Sequence, residues 1–424
     1  MGCGVHYRSK YHSVLEKQGI TIALAIDLKS QEETIRAFFA KKSLRPEHCL
    51  FLDESYRNHI TVEEIERLVS SINLASVDAI LIATEPKPRK SYALWAAHRK
   101  LDLFMDKPVT AFSSPNRMDT LHSDFEEIER AVNVSGIRAV VSCERRANLG
   151  YQWLKHYIRN FMDKEKIPLT SIDIHFAGGV WKTHREYAED ENHPFFYGYG
   201  VLLHSGYHFV DLLVTLLGLN NVLVPGPSKS LRVMASGQSG EVDFMMIGQA
   251  TKEGRVATNF SLKLFGTSVS ARVHKESKPK LEGRLRQESV ILHFGHLCSI
   301  HVRSNPFQRL WPEAHPTEDF SITILHSPLL ADRERIMTLN RSDLSEIYEQ
   351  LPLSISMNTV ARQFQLTEFL ARRDGNSSLA SHRETVAMLH EIYRLLKQTF
   401  PHQGLWLMDE NKLCNKESAK CVYF

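Results

Sequence analysis

The feature that most constrains this chain is a change of rhythm near residue 145. Before it, short apolar runs alternate with stretches of helical period. Ile20–Ile26 is a partly β-branched run closed by Asp27, and Glu32–Lys42 places Ile35, Phe38 and Phe39 on one helical face. Cys49–Leu52 reads as a strand, and Thr61–Ile72 as a helix opened by the capping-box pair Thr61 and Glu64. Val77–Thr84 is the clearest buried strand, stopped by Pro86 and Pro88. A helix over Ser91–Arg99, a strand over Leu101–Met105, a helix over Met118–Val132 and a strand over Ile137–Cys143 complete the series. Runs without polar alternation are strands covered on both faces. Their alternation with helices predicts right-handed crossovers and a doubly wound parallel sheet.

After residue 145 the strands alternate apolar and polar positions. In Arg255–Phe265, Val256, Thr258, Phe260, Leu262 and Leu264 face one way, the mark of a sheet with one covered face. Ser171–Phe176, Ser230–Ala235, Val242–Ala250, Ser289–Phe294, Ser299–Arg303 and Phe320–Leu325 read the same way. Helices over Met357–Arg373 and Ser381–Gln398 close the pattern, joined by Asp374–Ser378. The expected fold class is therefore α/β, a doubly wound parallel sheet followed by an α+β domain with a largely antiparallel open sheet. The expected divisions are 1–142, 143–400 and a tail over 401–424.

Composition bounds the function. A chain of 424 residues, 43% apolar and 24% charged, suits two packed domains. The net charge of +3 is spread without a basic run, which speaks against a nucleic-acid surface. The six cysteines form no C-x-x-C pair, so no metal site or disulfide framework is expected, and reduced thiols point to the cytoplasm. The opening residues do not read as a signal peptide. The richest apolar run, Phe209–Leu219, is too short to span a membrane and carries Asp211.

Three motifs carry chemistry. Gly2-Cys3-Gly4-Val5-His6-Tyr7, with Asp27 closing the next strand, has the glycines that let backbone approach a pyrophosphate and the acid that takes ribose hydroxyls. Tyr7 stands where a third glycine is usual, and only Met1 precedes Gly2, so the first strand of such a fold is truncated. If Met1 is the true start, the expected consequence is poor stability and weak cofactor affinity. Asp106-Lys107-Pro108 lies at a strand's carboxyl end, where α/β sheets bind ligands and a lysine can meet a developing alkoxide. In Gly198–Asp211, His204 and His208 stand four apart on the approach to an apolar helix, with histidine suited to proton transfer near neutrality.

Together these motifs resemble the glucose–fructose oxidoreductase, inositol dehydrogenase and rhizopine-catabolism (Gfo/Idh/MocA) family, whose N-terminal domain is of Rossmann type. The likeness runs to about Phe400 and includes Val77–Thr84 and Glu144-Arg145-Arg146. It implies NAD, with NADP left open because Lys29 neighbours Asp27, and Gly2, Gly4, Asp27, Thr84, Pro86, Asp106 and Lys107 as cofactor contacts. It implies Lys107 and His208 beside nicotinamide and substrate, with His204 where the family commonly has Asp. Arg145, Tyr197, Tyr199 and Trp181 are candidate pocket residues, and Trp181 with His184 a candidate loop over the cleft. The implied substrate is a sugar, cyclitol or polyol, and the implied assembly a homodimer or homotetramer through the second sheet. A catalytically silent dinucleotide-binding regulator of the same fold is the competing reading.

Overall fold

In the computed structural model the chain divides into one unit of residues 1–147 with 358–390 and a second of 148–357 with 391–424. The structure describes residues 1–111, 120–177, 202–225, 230–237, 244–252, 256–265, 287–304, 320–348 and 357–399.

In the first unit β1 (Ile22–Leu28) pairs in parallel with β2 (Pro46–Leu52). A second parallel set is β3 (Ala79–Ile82), β4 (Asp102–Asp106) and β5 (Ala139–Ser142). Met1 and Gly2 lie between the two sets. The Gly2 N–H donates to the Ile26 carbonyl and the Ala83 N–H to the Met1 carbonyl, both at 2.8 Å. The Met1 ammonium donates to the Leu81 carbonyl at 2.5 Å. The spatial order is thus β2, β1, Met1–Gly2, β3, β4, β5. Gly2 is held there by necessity. Its φ is +79°, and a Cβ would lie 2.6–2.7 Å from the Ala83 carbonyl group and the Thr84 nitrogen.

The crossovers are α2 (Glu32–Ala40), α3 (Val62–Val69), α4 (Arg89–His98) and α5 (Thr120–Ser135). The capping box at Thr61 and Glu64 forms as its spacing predicts. Where the third glycine is missing, Tyr7 is buried against Phe39 and His12. There Tyr7–Tyr11 makes a wide π turn before α1 (His12–Lys17). An extra residue in one turn is how a helix absorbs a local misfit. The core joins Tyr7, Tyr11, Leu15, Ile35, Phe39, Phe104 and Val140 to Leu366 and Phe369. The last two lie on a helix far along the chain, Met357–Leu370. Each such burial contributes about 1.5–3 kcal/mol, enough to hold that return segment on the first unit. The short α6 (Glu144–Ala147) ends the first pass.

The second unit opens with α7 (Leu149–Glu165), a helix the sequence patterns did not announce. Asn148 caps it, its side chain accepting from the Gly150 and Tyr151 N–H groups at 3.0 and 3.3 Å. Its sheet contains β6 (Ser171–Ala177), β7 (Ser230–Gly237), β8 (Phe244–Lys252), β9 (Val256–Phe265), β10 (Gln287–Phe294), β11 (Cys298–Ser304), β12 (Phe320–His326) and β13 (Ile336–Asn340). The order is β13-β12-β11-β10-β6-β9-β8-β7. Among the described strands of this sheet only the β6–β9 pair is parallel. Register enforces one covered face: buried Val290, Leu292 and Phe294 stand opposite buried Val302, Ile300 and Cys298. The edge strand β13 was not foreseen, because its Met337 and Leu339 leave too little apolar contrast. The apolar α8 (Tyr207–Leu217) is buried along nearly its whole length. The remaining helices are α9 (Arg341–Ile347), α10 (Met357–Leu370) and α11 (Arg383–Thr399).

Candidate active site

The Gly2–Tyr7 loop leaves the central position of the parallel sheet and enters a helix at Val5. The Cys3 N–H donates to Asp27 Oδ2 at 2.6 Å, and the Leu28 N–H to Oδ1 at 2.7 Å. Asp27 therefore clasps the loop. A carboxylate has about four acceptor positions, so this half-buried group keeps capacity for ribose hydroxyls. At Gly4 a Cβ would meet nothing within 4 Å, so the backbone there is bare and open. The first-turn N–H groups of a helix have no intrahelical partner and carry the positive end of its dipole. Bare backbone, helix start and acid together fit the pyrophosphate and ribose of a dinucleotide.

The loops after β3 and β4 are tied together by Arg89, which no sequence pattern singled out. Its guanidinium donates to the Thr84 carbonyl at 3.0 and 2.6 Å, to the Asp106 carbonyl at 2.7 Å and to the Pro108 carbonyl at 2.6 Å. Pro86 is buried, and its carbonyl accepts from the Arg89 N–H. Thr84 and Pro86 thus shape the β3 loop, while Lys107 projects from the strand end that Arg89 pins.

Asp106 faces the first helix. The Tyr11 hydroxyl is hydrogen-bonded to its Oδ1 and lies 3.0 Å from Ser142 Oγ, and His6 Nδ1 is 3.5 Å from Oδ2. Burial pushes the Asp106 carboxyl upward, but the neighbouring His6 and the charges of Arg89 and Arg362 outweigh it and hold it at about 2. Lys107 is lowered as well, but there the charged form is the one disfavoured. Burial, then the Arg362 charge, then Arg89, pull its ammonium down to about 7 against the opposing pull of Glu144 and Asp106. Part of its surface stays open, so it is enclosed by protein without being sealed off.

Behind Lys107, α10 brings Arg362 Nη2 to 2.6 Å from Glu144 Oε2. Arg145 Nη1 is 3.2 Å from the other Glu144 oxygen. Arg145, a candidate substrate contact, is thus buried against its sequence neighbour. Arg146 donates to the Ser381 carbonyl at 2.8 Å, and Gln365 Nε2 donates to the Cys143 carbonyl at 3.2 Å. His6, Tyr11, Arg89 and Arg362 are the residues the sequence reading missed. For Arg362 no local signal exists, since it lies more than two hundred residues from Glu144.

His208 is buried in the first turn of α8, with fully buried Asp211 one turn on. His204 falls in a second π turn, Leu202–Gly206, and its side chain lies outside the described residues. Trp181, His184, Tyr197 and Tyr199 also lie outside them. Among the described residues no group of His, Cys, Asp or Glu is arranged to hold a metal. No helix among them is long and apolar enough to cross a membrane.

No protein-family model matches the chain, and no curated protein sequence matches it significantly. Solved structures do share its fold, and the class they define is that of dehydrogenases. The WlbA dehydrogenase from Bordetella pertussis, in complex with NADH and UDP-GlcNAcA, superposes with a TM-score of 0.58 at 15% identity, over 94% of each chain. Levoglucosan dehydrogenase, in complex with NADH and levoglucosan, gives 0.56 at 14% identity, over 94% of this chain and 96% of that one. An inositol dehydrogenase homolog from Azotobacter vinelandii, complexed with NAD+, gives 0.53 at 13% identity, over 89% and 96%. These are dehydrogenases of the kind the motifs resemble, and the likeness establishes a common fold.

Proposed function

We propose that this chain is an NAD-dependent oxidoreductase that moves hydride between the cofactor and a hydroxyl- or carbonyl-bearing carbon of a sugar, cyclitol or related polyol. The observation that carries the reading is the Asp27 clasp on the open loop: Cys3 N–H on the carboxylate, bare backbone at Gly4 and a helix start at Val5. Gly2 and Gly4 would admit the pyrophosphate, and Asp27 would take the ribose hydroxyls and repel a 2′-phosphate, favouring NAD over NADP. Thr84, Pro86, Asp106 and Lys107 would border the nicotinamide end. The bound nicotinamide supplies the hydride acceptor or donor.

The protein's own part is orientation and proton handling. Arg89 fixes the two loops, and Lys107 supplies positive charge to the oxygen of the reacting carbon. His208 takes the hydroxyl proton in the oxidative direction, and His204 holds the sequence position where the family commonly has Asp. Arg145, Tyr197, Tyr199 and Trp181 are proposed to shape the substrate pocket. The sugar-bearing complexes of the two neighbours support the substrate class. Self-association through the second sheet is proposed from Met234 and Ile247, exposed and paired across β7 and β8.

The test is NADH formation over a panel of sugars and cyclitols. Turnover that disappears in His208→Ala while NAD still binds supports the reading. An absence of turnover across the panel, with wild type and variant alike, contradicts it.

A further inference from the structure

We infer that Glu54 is a specificity-determining residue: its carboxylate holds the donors that the 2′-phosphate of NADP would need, and so confines the cofactor to NAD. On the proposed cofactor reading, on which this rests, Asp27 at the end of β1 takes the ribose hydroxyls. β1 and β2 are parallel, with Leu28 opposite Leu52, so the loops that follow them leave the sheet side by side. The first loop turns at Lys29–Gln31 and the second at Glu54–Tyr56.

In dinucleotide folds a 2′-phosphate is met close to the ribose position, typically by an arginine. Such donors are present here, and a side chain of the protein already engages them. The Ser30 N–H, three residues beyond Asp27, donates to Glu54 Oε1 at 3.0 Å. The Arg57 guanidinium donates to Glu54 Oε2 from Nη2 at 2.6 Å and from Nε at 3.2 Å. Arg57 Nη2 also lies 3.5 Å from Ser30 Oγ. A backbone N–H and a guanidinium fork thus converge on one carboxylate, with a hydroxyl beside them. The same donor types, with a guanidinium among them, recognise phosphate oxygens.

The neighbouring acid does not compete for these donors, since Asp53 turns back to accept from the Ser55 N–H at 3.0 Å. Burial pushes the Glu54 carboxyl upward, but its contacts with Ser30 and Arg57 outweigh it and hold it below the usual carboxylate range. The resident group is therefore anionic at neutral pH. The Arg57 side chain is 18% exposed against 46% for Glu54, so the guanidinium is set deeper and the carboxylate covers it. A 2′-phosphate approaching this corner meets two carboxylates, Asp27 and Glu54, and a donor set already taken. A ribose with free hydroxyls meets no such opposition. Discrimination then comes from exclusion of the wrong cofactor as much as from contacts to the right one. Exposed Lys29 would otherwise favour the phosphate, and Glu54 offsets it.

The experiment is a calorimetric titration of the full chain with NAD and with NADP, read as the ratio of the two affinities. Wild type should prefer NAD. Glu54→Ala should move the ratio toward NADP by about tenfold, because a like charge is removed and the Arg57 fork is released. Glu54→Gln keeps an acceptor for the Ser30 N–H and loses the charge, and should move the ratio the same way. Adding Arg57→Met to Glu54→Ala should abolish the gain, which a simple widening of the corner would not. A wild type that prefers NADP, a ratio unmoved in both Glu54 variants, or a gain that survives the loss of Arg57 overturns the assignment. If Glu54→Ala does not fold, Glu54→Gln decides on the same criterion. NAD binding with an unmoved ratio leaves the cofactor reading standing and removes only the role of Glu54. Binding of neither dinucleotide by wild type sinks the cofactor reading and the role of Glu54 with it.

Discussion

The two units solve the burial of polar groups in opposite ways. The second covers β10–β12 mainly with apolar side chains: Val290, Leu292, Phe294, Ile300, Val302, Phe320, Ile322 and Ile324 are all buried, and Lys252, Thr258 and Glu288 are polar residues buried on its strands. The first buries Arg89, Asp106, Glu144, Arg145 and Arg146 at the carboxyl ends of its strands, where charge is stable only if it is paired or hydrogen-bonded. An apolar face gives a scaffold, whereas compensated buried charge at strand ends gives a place where proton affinities depart from their solution values. A π turn nevertheless accompanies each candidate motif, one at Tyr7–Tyr11 and another at Leu202–Gly206.

The contrast can be broken at its strongest point by Lys107→Met. Turnover on any substrate found should fall about a thousandfold, with urea stability kept. A comparable loss of stability would mean that the lysine is structural. In the second unit the expectation is reversed. Leu292→Ala should cost about 2–5 kcal/mol in urea unfolding, while NAD affinity stays unchanged. Gly2→Ala should cost about 1–3 kcal/mol, because a positive φ and a backbone contact both oppose the added carbon. Gly4→Ala, facing open space, should leave stability alone and weaken NAD binding.

Acid sharpens the comparison further. Asp106 is held at about 2 in the folded unit against an ordinary 3.8. Its stabilisation is therefore present above 3.8 and lost as pH falls through 2. Wild type should lose stability in that window relative to Asp106→Asn, by roughly 2 kcal/mol. Lys107 contributes a slope of the same sign at higher pH, since between about 7 and 10.5 the unfolded chain holds a proton that the folded one does not, so stability rises with pH there too. Thr61→Ala, removing the capping box on α3, should have the smallest effect, about 1 kcal/mol.

The same contrast governs what the sequence could tell. Period-two runs such as Val256–Leu264 and buried runs such as Leu103–Met105 announce strands, because burial is written in neighbouring residues. Asp27, Gly2 and Gly4 stood out in the sequence because a phosphate-binding turn would impose glycine and acid at fixed spacing, and the fold sets the Cys3 N–H on Asp27. The Arg362–Glu144 and Tyr11–Asp106 contacts were not, since each joins residues that only the fold makes neighbours. The helix Leu149–Glu165 was missed although Tyr151, Leu154, Ile158, Phe161 and Met162 recur at helical spacing, with Lys155 buried among them. The return of 358–390 to the first unit depends on Leu366 and Phe369 meeting Phe104 and Val140, a choice of partner that periodicity does not encode.

The most direct test of the account is a calorimetric titration of the full chain with NAD beside Gly4→Ala and Asp27→Ala. Saturable binding by wild type, weakened at least tenfold in each variant, is the predicted result. Absence of binding at millimolar NAD, or binding that neither substitution alters, would contradict the assignment of the Gly2–Tyr7 loop as the cofactor site.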